Sequence, residues 1–367
     1  DDIDAVKKYI SYGFQLDIFI AIIYSLLLFI FNSQIIGFFN LNDVEVVKMA
    51  EEYLRIIAIG LTFHFLNPIF STTLNSTGNS VTPFKLNTLG LIVNMILDPI
   101  LIFGLGPIPA LGVKGAAIAT IFAQFIVTIV FIILGKQSDA VYSHVNLFIK
   151  PDFEYIGKMV RLGFPPFVQT AIHSGISMIL TRIVADFGDT AVAVLNIGSQ
   201  IESIAWMSAE GFSSAISAFI GQNFGAGKID RIKKGYYRGI QILGGIGIFA
   251  SLLLIFGAKP LFTLFTPRDP VAIAEGTKYL RILGTCQFFM CIEIGTAGAF
   301  NGIGKTLPPT LIGVIFNISR IPLALALSST KLGLLGIWWS MSISSIMKGI
   351  TSPIIYNYVL KHRLEEL

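Results

Sequence analysis

The sequence predicts an all-α polytopic membrane protein built as two pseudo-symmetric helical lobes. Three observations carry this. Hydrophobic residues make up 54% of the 367 positions and charged residues only 13%, against about 25% charged in an average soluble domain. The mean hydropathy is +0.75, and a soluble chain of this size has no way to hide that much apolar surface. Second, the apolar residues lie in long continuous runs, as in helices of about 20 residues that cross a bilayer, rather than in the short alternating segments of a membrane barrel. Third, the sequence repeats itself at a fixed offset. Disorder is excluded by the hydrophobicity, and two cysteines, Cys286 and Cys291, build no disulfide framework. The formal charge of +4 is spread over short loops and excludes a nucleic-acid surface.

Ten span-length segments follow in order. The run near 14–36 comes after Lys7 and Lys8. The run near 53–75 follows the acidic stretch Asp43–Glu52 and stops before Gly78 and Pro83. The run near 86–106 ends at Pro107 and Pro109, and that near 115–135 ends at Lys136. The run near 160–185 opens behind Lys150 and Lys158. Asp186-Phe-Gly-Asp189 separates it from 192–218, which stops before Gly225 and Gly227. The runs near 239–258 and 279–300 lie on either side of Lys259 and Arg268, and Gly304 with Pro308 and Pro309 introduces 310–328. The last run, near 333–358, leads to Lys361 and Arg363. Gly and Pro punctuate because one favours turns and the other cannot continue a helix. With alternating spans, most of the loop lysines and arginines share one side. The positive-inside rule makes that side cytoplasmic and puts both ends of this chain there.

The repeat is specific. Ile3-Asp4, Lys7-Lys8 and Gly13 recur 226 residues later as Ile229-Asp230, Lys233-Lys234 and Gly239. The same offset pairs Tyr53-Leu54-Arg55-Ile56 with Tyr279-Leu280-Arg281-Ile282, Asn75 and Gly78 with Asn301 and Gly304, and Pro83 with Pro309. Gly112 and Gly115 match Gly333 and Gly336 after a five-residue deletion. Parallel repeats of this kind are a transporter signature, with substrate handled between the halves. The expected organisation is an N-lobe over 1–136, a cytoplasmic linker over 137–159 and a C-lobe over 160–367. The second half has two spans before its Ile229-Asp230 landmark and the first has almost none before Ile3-Asp4. The expectation is therefore a parent of about twelve helices, six per lobe, of which about ten stand here.

Asn94-Met-Ile-Leu-Asp98-Pro99, Gly104-Leu-Gly-Pro107 and the run Leu111 to Thr120 resemble the multidrug and toxic compound extrusion (MATE) family. So do Ile220-Gly-Gln-Asn-Phe-Gly-Ala-Gly227 and Asn301-Gly-Ile-Gly304. The resemblance spans the whole chain. It implies two six-helix lobes in a V, no enzymatic activity, and no cofactor beyond the coupling ion. It also implies efflux of small organic, cationic or amphipathic compounds in exchange for protons or sodium, by a monomer in a bacterial or archaeal plasma membrane, in contact with its lipid. A lipid or lipid-linked oligosaccharide flippase of the same superfamily is the alternative. An intramembrane enzyme is more remote, since His-Glu-x-x-His and Gly-x-Ser-x-Gly are missing from the sequence.

Asp98 is the first candidate for ion coupling. It interrupts the apolar run Leu91 to Phe103, where a carboxylate costs about 2.5–3.5 kcal/mol on insertion scales. It could take up a proton or ligate sodium as a hard oxygen donor; the plainer reading is a structural acceptor next to a Pro99 kink. Asn94 lies four residues earlier on the same helical face. The resemblance makes the pair a proton or sodium site, with Thr120 as a further oxygen donor. In many bacterial relatives the C-lobe carries two cation-binding carboxylates, but the matching positions here are about His173 and Met290. Polar stripes nevertheless mark that half: Gln169, His173, Ser177 and Thr181 on one helix, and Asn196, Gln200, Ser203 and Glu210 on the next. Such stripes face a bundle interior or a wet cavity, not lipid.

His173 could titrate near neutral pH or simply bond a neighbouring helix. Glu210 either belongs to a proton path or is neutralised at a span end. Glu293 stands one repeat offset from Asn67, so the two mark equivalent places in a cavity or each pairs with an adjacent helix. Asp17 and Glu202 carry less weight because span ends allow hydration. Arg182 and Arg320 are expected to snorkel. Trp206, Met207 and Phe212 lie along the polar run 192–218 as packing or as a drug contact.

Overall fold

The computed structural model describes residues 3–38, 43–138, 142 and 145–365. Among the described residues the regular structure is helical, and the chain divides into two units, Asp1–Met159 and Val160–Leu367. The first unit contains α1 (Ile3–Ile30), α2 (Asn32–Phe38), α3 (Val44–Ser76), α4 (Val81–Phe103) and α5 (Val113–Ser138). Next comes α6 (Phe153–Ala185), whose first turns still belong to it. The second unit continues with α7 (Asp189–Gly225), α8 (Ile229–Phe256), α9 (Ala258–Phe265), α10 (Pro270–Gly284), α11 (Gln287–Gly302), α12 (Leu307–Ile318), α13 (Arg320–Ser328) and α14 (Leu334–Glu365).

Among the described residues seven helical stretches are long and apolar enough to cross a membrane, α12 and α13 counting together as Leu307–Ser328, and the bent pair α10–α11 makes an eighth. Helices α7 and α14 are long enough, at 37 and 32 residues, yet fall outside that set. The ten expected segments are all present, but the helices outrun the apolar runs. α1 starts at Ile3 and α8 at Ile229, each including a lysine pair. Backbone hydrogen bonding continues past the hydrocarbon edge, where charged side chains reach water. α6 starts at Phe153, inside the stretch expected to be linker, because Asp152 caps it: its carboxylate accepts from Glu154 N at 2.9 Å. The short helices α2 and α9 carry too few residues to register as spans.

Packing reproduces the repeat. α1 and α8 are both 28 residues long and begin 226 apart. Asp43 and Asp269, also 226 apart, cap α3 and α10 in the same way, each carboxylate accepting from two backbone N–H groups of the first turn. Gly78 and Gly304 both close their turns at positive φ, 88° and 69°, where a side chain would be strained. Gly115 packs so closely on α4 that a Cβ would overlap the Leu101 carbonyl, and Gly336 stands in the same relation to Leu327. The pair α4/α5 and the pair α12–α13/α14 therefore share one register.

The halves differ at two breaks. Continuous α3 corresponds to α10 and α11, which meet at a 50° bend. There Thr285 Oγ1 donates to Ile282 O at 2.6 Å and Cys286 Sγ to Leu283 O at 3.1 Å, side-chain bonds that compete with the helical ladder. Continuous α4 corresponds to α12 and α13, which part at Ser319. Pro322 has no N–H to offer the Ile318 carbonyl, so the ladder lapses there.

The core of the first unit gathers Phe14, Phe70, Phe131 and Tyr142, with Phe70 stacked on Phe131 at 5.2 Å. The second unit has one cluster around Tyr279 and Trp338, edge to face at 4.8 Å, and another around Tyr236, Phe300 and Tyr356. The outside is apolar: Phe256, Phe103 and Phe249 are 78%, 76% and 68% exposed. In water this surface would aggregate, whereas lipid tails solvate it.

Candidate functional site

In the first unit, α4 carries Asn94 and Asp98 one turn apart on a half-buried face. Asn94 Nδ2 and Asp98 Oδ1 are both buried, and neither has a hydrogen-bond partner among the described residues. Buried polar atoms are nearly always paired, so two orphans on adjacent turns stand out. Thr120 lies on the neighbouring α5, and its hydroxyl donates to Ala116 O on its own helix at 3.0 Å. No hydrogen bond joins it to Asp98 among the described residues. Asp17 on α1 has a similar orphan, Oδ2.

Asn67 is used differently. Its side chain is 3% exposed; Nδ2 donates to Gln124 O at 3.0 Å and to Gln124 Oε1 at 2.6 Å, and Oδ1 accepts from Thr128 Oγ1 at 2.8 Å. The amide is fully engaged in fastening α3 to α5.

In the second unit the predicted residues separate into two groups. On α6, His173, Ser177 and Thr181 line an open groove of about 470 Å³ together with Ser174 and Met178. Thr181 Oγ1 donates to Ser177 O at 2.9 Å. Gln169, one turn before His173, packs its amide on Gly313 of α12, where no side chain leaves room for it. On α7, Gln200 and Glu210 are exposed, and the Gln200 carbonyl accepts from Ser203 Oγ at 2.6 Å. Trp206, Met207 and Phe212 are exposed along the same helix.

The other group is buried and charged. Glu293 on α11 pairs with Lys348 on α14 at 3.4 Å, both side chains about a tenth exposed. Arg320, at the start of α13, is 8% exposed. Its Nε donates to Ser344 Oγ at 2.9 Å and its Nη2 to Ser345 Oγ at 3.1 Å. It does not snorkel, contrary to expectation, because the serines of α14 satisfy it inside the bundle. Arg182 is exposed and pairs with Asp186 at 2.8 Å. Glu202 on α7 also turns inward: Oε2 accepts from Gln287 Nε2 at 3.3 Å while Oε1 is buried with no hydrogen-bond partner among the described residues. The Tyr279 hydroxyl faces the same carboxylate.

Lys348, Gln287 and Tyr279 escape a reading of the sequence focused on acids and known landmarks. A lysine in the middle of the apolar run 333–358 was the available signal for Lys348; Gln287 and Tyr279 gain meaning only from the bend that turns them towards α7. Among the described residues no group of three or more His, Cys, Asp or Glu gathers as a metal site.

Comparison with known proteins gives a consistent result. The MatE family profile matches residues 1–100 and 165–326. A probable multidrug resistance protein NorM of Thermotoga maritima is 30% identical over 317 residues, covering 84% of this chain and 67% of that relative. A probable multidrug resistance protein YoeA of Bacillus subtilis is 29% identical over 338 residues, covering 90% of this chain and 71% of that relative. Among solved structures, the outward-facing conformation of a multidrug resistance MATE family transporter of the MOP superfamily matches with a TM-score of 0.87 at 20% identity, over 100% of this chain and 80% of that one. The last is a likeness of fold.

Proposed function

The chain belongs to the MatE family of multidrug and toxic compound extrusion transporters, and from that premise we propose that it exports small organic compounds in exchange for protons or sodium ions. The exchange site is assigned to Asn94 and Asp98. The observation that supports it is the pair of orphan buried atoms, Asn94 Nδ2 and Asp98 Oδ1. A carboxylate oxygen without a donor is satisfied by a bound proton or by a cation. The amide of Asn94 presents oxygen or nitrogen according to which way it is turned, so it serves sodium as a ligand or a protonated Asp98 as a partner. The Thr120 hydroxyl donates its hydrogen bond to Ala116 O and keeps a lone pair for a third oxygen contact.

Loading this site shifts the population between outward- and inward-open states, and unloading restores it. The substrates are cationic or amphipathic; their contacts in the second unit are the groove of His173 and Ser177 on α6 with Gln169 one turn before, and Gln200 and Glu210 on α7. Glu293 fastens α11 to α14 within the second unit, and Asn67 fastens α3 to α5 within the first. The distribution of lysine and arginine supports cytoplasmic ends for this chain.

The test is efflux of an organic cation dye from everted vesicles, with proton and sodium gradients imposed separately. Asp98→Asn abolishes gradient-driven efflux while the protein remains monodisperse in detergent. Wild-type efflux by that variant rejects the assignment.

A further inference from the structure

The two units repeat one helical frame but not the same charges. The register shared by Gly115 on Leu101 and Gly336 on Leu327 fixes which positions correspond. In that register Asn94 corresponds to Arg320 and Asp98 to Ala324. On the partner helices, Ala123 and Gln124 correspond to Ser344 and Ser345, Val127 to Lys348, and Asn67 to Glu293. The place that holds two orphan polar atoms in the first unit thus holds a guanidinium and a methyl group in the second.

The guanidinium is built in. Arg320 is 8% exposed, and the two serines that stand where the first unit has alanine and glutamine hold its Nε and Nη2. Ser344 is itself oriented by donating to Phe316 O at 2.8 Å. Among the described residues no carboxylate lies within ion-pair distance of Arg320; on α14, one turn beyond Ser345, Lys348 holds Glu293 in an ion pair of its own. A monovalent positive charge therefore sits buried, held by hydroxyls and not by a carboxylate, at the counterpart of the proposed exchange site. A guanidinium keeps its proton under all physiological conditions, and a side chain cannot dissociate.

We infer that Arg320 is a tethered cation: it does permanently in the second unit what an exchangeable proton or sodium ion does transiently at Asn94 and Asp98. It fills the position corresponding to Asn94 in every state of the cycle, while Lys348 already neutralises Glu293, so the second unit neither loads nor unloads an ion. Coupling runs through the first unit alone, with a single cation per cycle. This rests on the reading of Asn94 and Asp98 as the exchange site.

The experiment counts cations taken up by the purified protein in detergent, by indicator-dye proton uptake in weakly buffered solution and by binding of radioactive sodium. Wild type takes up a single equivalent and Asp98→Asn none. Arg320→Lys, which keeps a tethered charge, leaves the wild-type count unchanged. Transplanting the first unit's pair, Arg320→Asn with Ala324→Asp, into the Asp98→Asn background restores one equivalent. The inference is overturned if Asp98→Asn still takes up an equivalent that Glu202→Gln or Glu293→Gln removes, for then the second unit has an exchange site of its own. Uptake in Asp98→Asn equal to wild type and untouched by either glutamate variant rejects the exchange-site reading itself and the inference with it.

Discussion

Lys348 and Glu293 meet with both side chains almost wholly buried, so neither can lose its partner without stranding a charge inside the second unit. Removing one member of such a pair costs about 3–5 kcal/mol. Lys348→Met is accordingly expected to lower the melting temperature in detergent sharply, and adding Glu293→Gln to recover most of the loss. A double variant no more stable than Lys348→Met would mean the pair is not a coupled unit. Asp98 was legible in the sequence because a lone acid in an apolar run announces itself. The fate of Arg320 was not, since an arginine snorkels or stays inside according to what another helix offers, and the serines Ser344 and Ser345 lie more than twenty positions away. Asn67 was legible as polar and buried, but its engagement with Gln124 and Thr128 depends on the register of α3 against α5.

At the scale of helices, the closest approaches are made by glycine. A methyl at Gly115 overlaps the Leu101 carbonyl and one at Gly336 overlaps Leu327, and in both the obstacle is backbone that cannot turn aside. Gly115→Ala and Gly336→Ala are each expected to destabilise by about 1–3 kcal/mol, as overpacking does. Gly175→Ala, in open space inside α6, is expected to raise the melting temperature slightly, because alanine favours the helix and meets no neighbour. The capping aspartates make a second matched pair, and Asp43→Ala and Asp269→Ala should each cost about 1 kcal/mol. The repeat foretold these pairings through Gly115 and Gly336, and the proline and glycine landmarks foretold most helix ends. The 50° bend between α10 and α11 left no such mark: Thr285 and Cys286 are ordinary span residues until their side chains take the carbonyls of Ile282 and Leu283.

For the whole molecule, composition decided the solvent. Aromatic and aliphatic side chains as exposed as Phe256 and Phe103 need lipid or detergent around them. The protein is expected to resist extraction from membranes by alkaline carbonate and to be released by detergent; recovery in the carbonate supernatant would contradict a spanning arrangement. The two-unit architecture was legible because a duplicated sequence with ten apolar runs admits few alternatives. Individual starts were not, because helices such as α1 and α8 extend beyond the apolar stretch that reveals them. The bend in the second unit has a practical side. The chain's two cysteines, Cys286 and Cys291, flank or follow that bend and are 1% and 0% exposed as free thiols. A maleimide reaches them only when the segment opens. The unaltered protein therefore carries its own clock: the labelling rate reports how often this stretch breathes, and adding a candidate substrate shows directly whether its binding quickens or stills that motion.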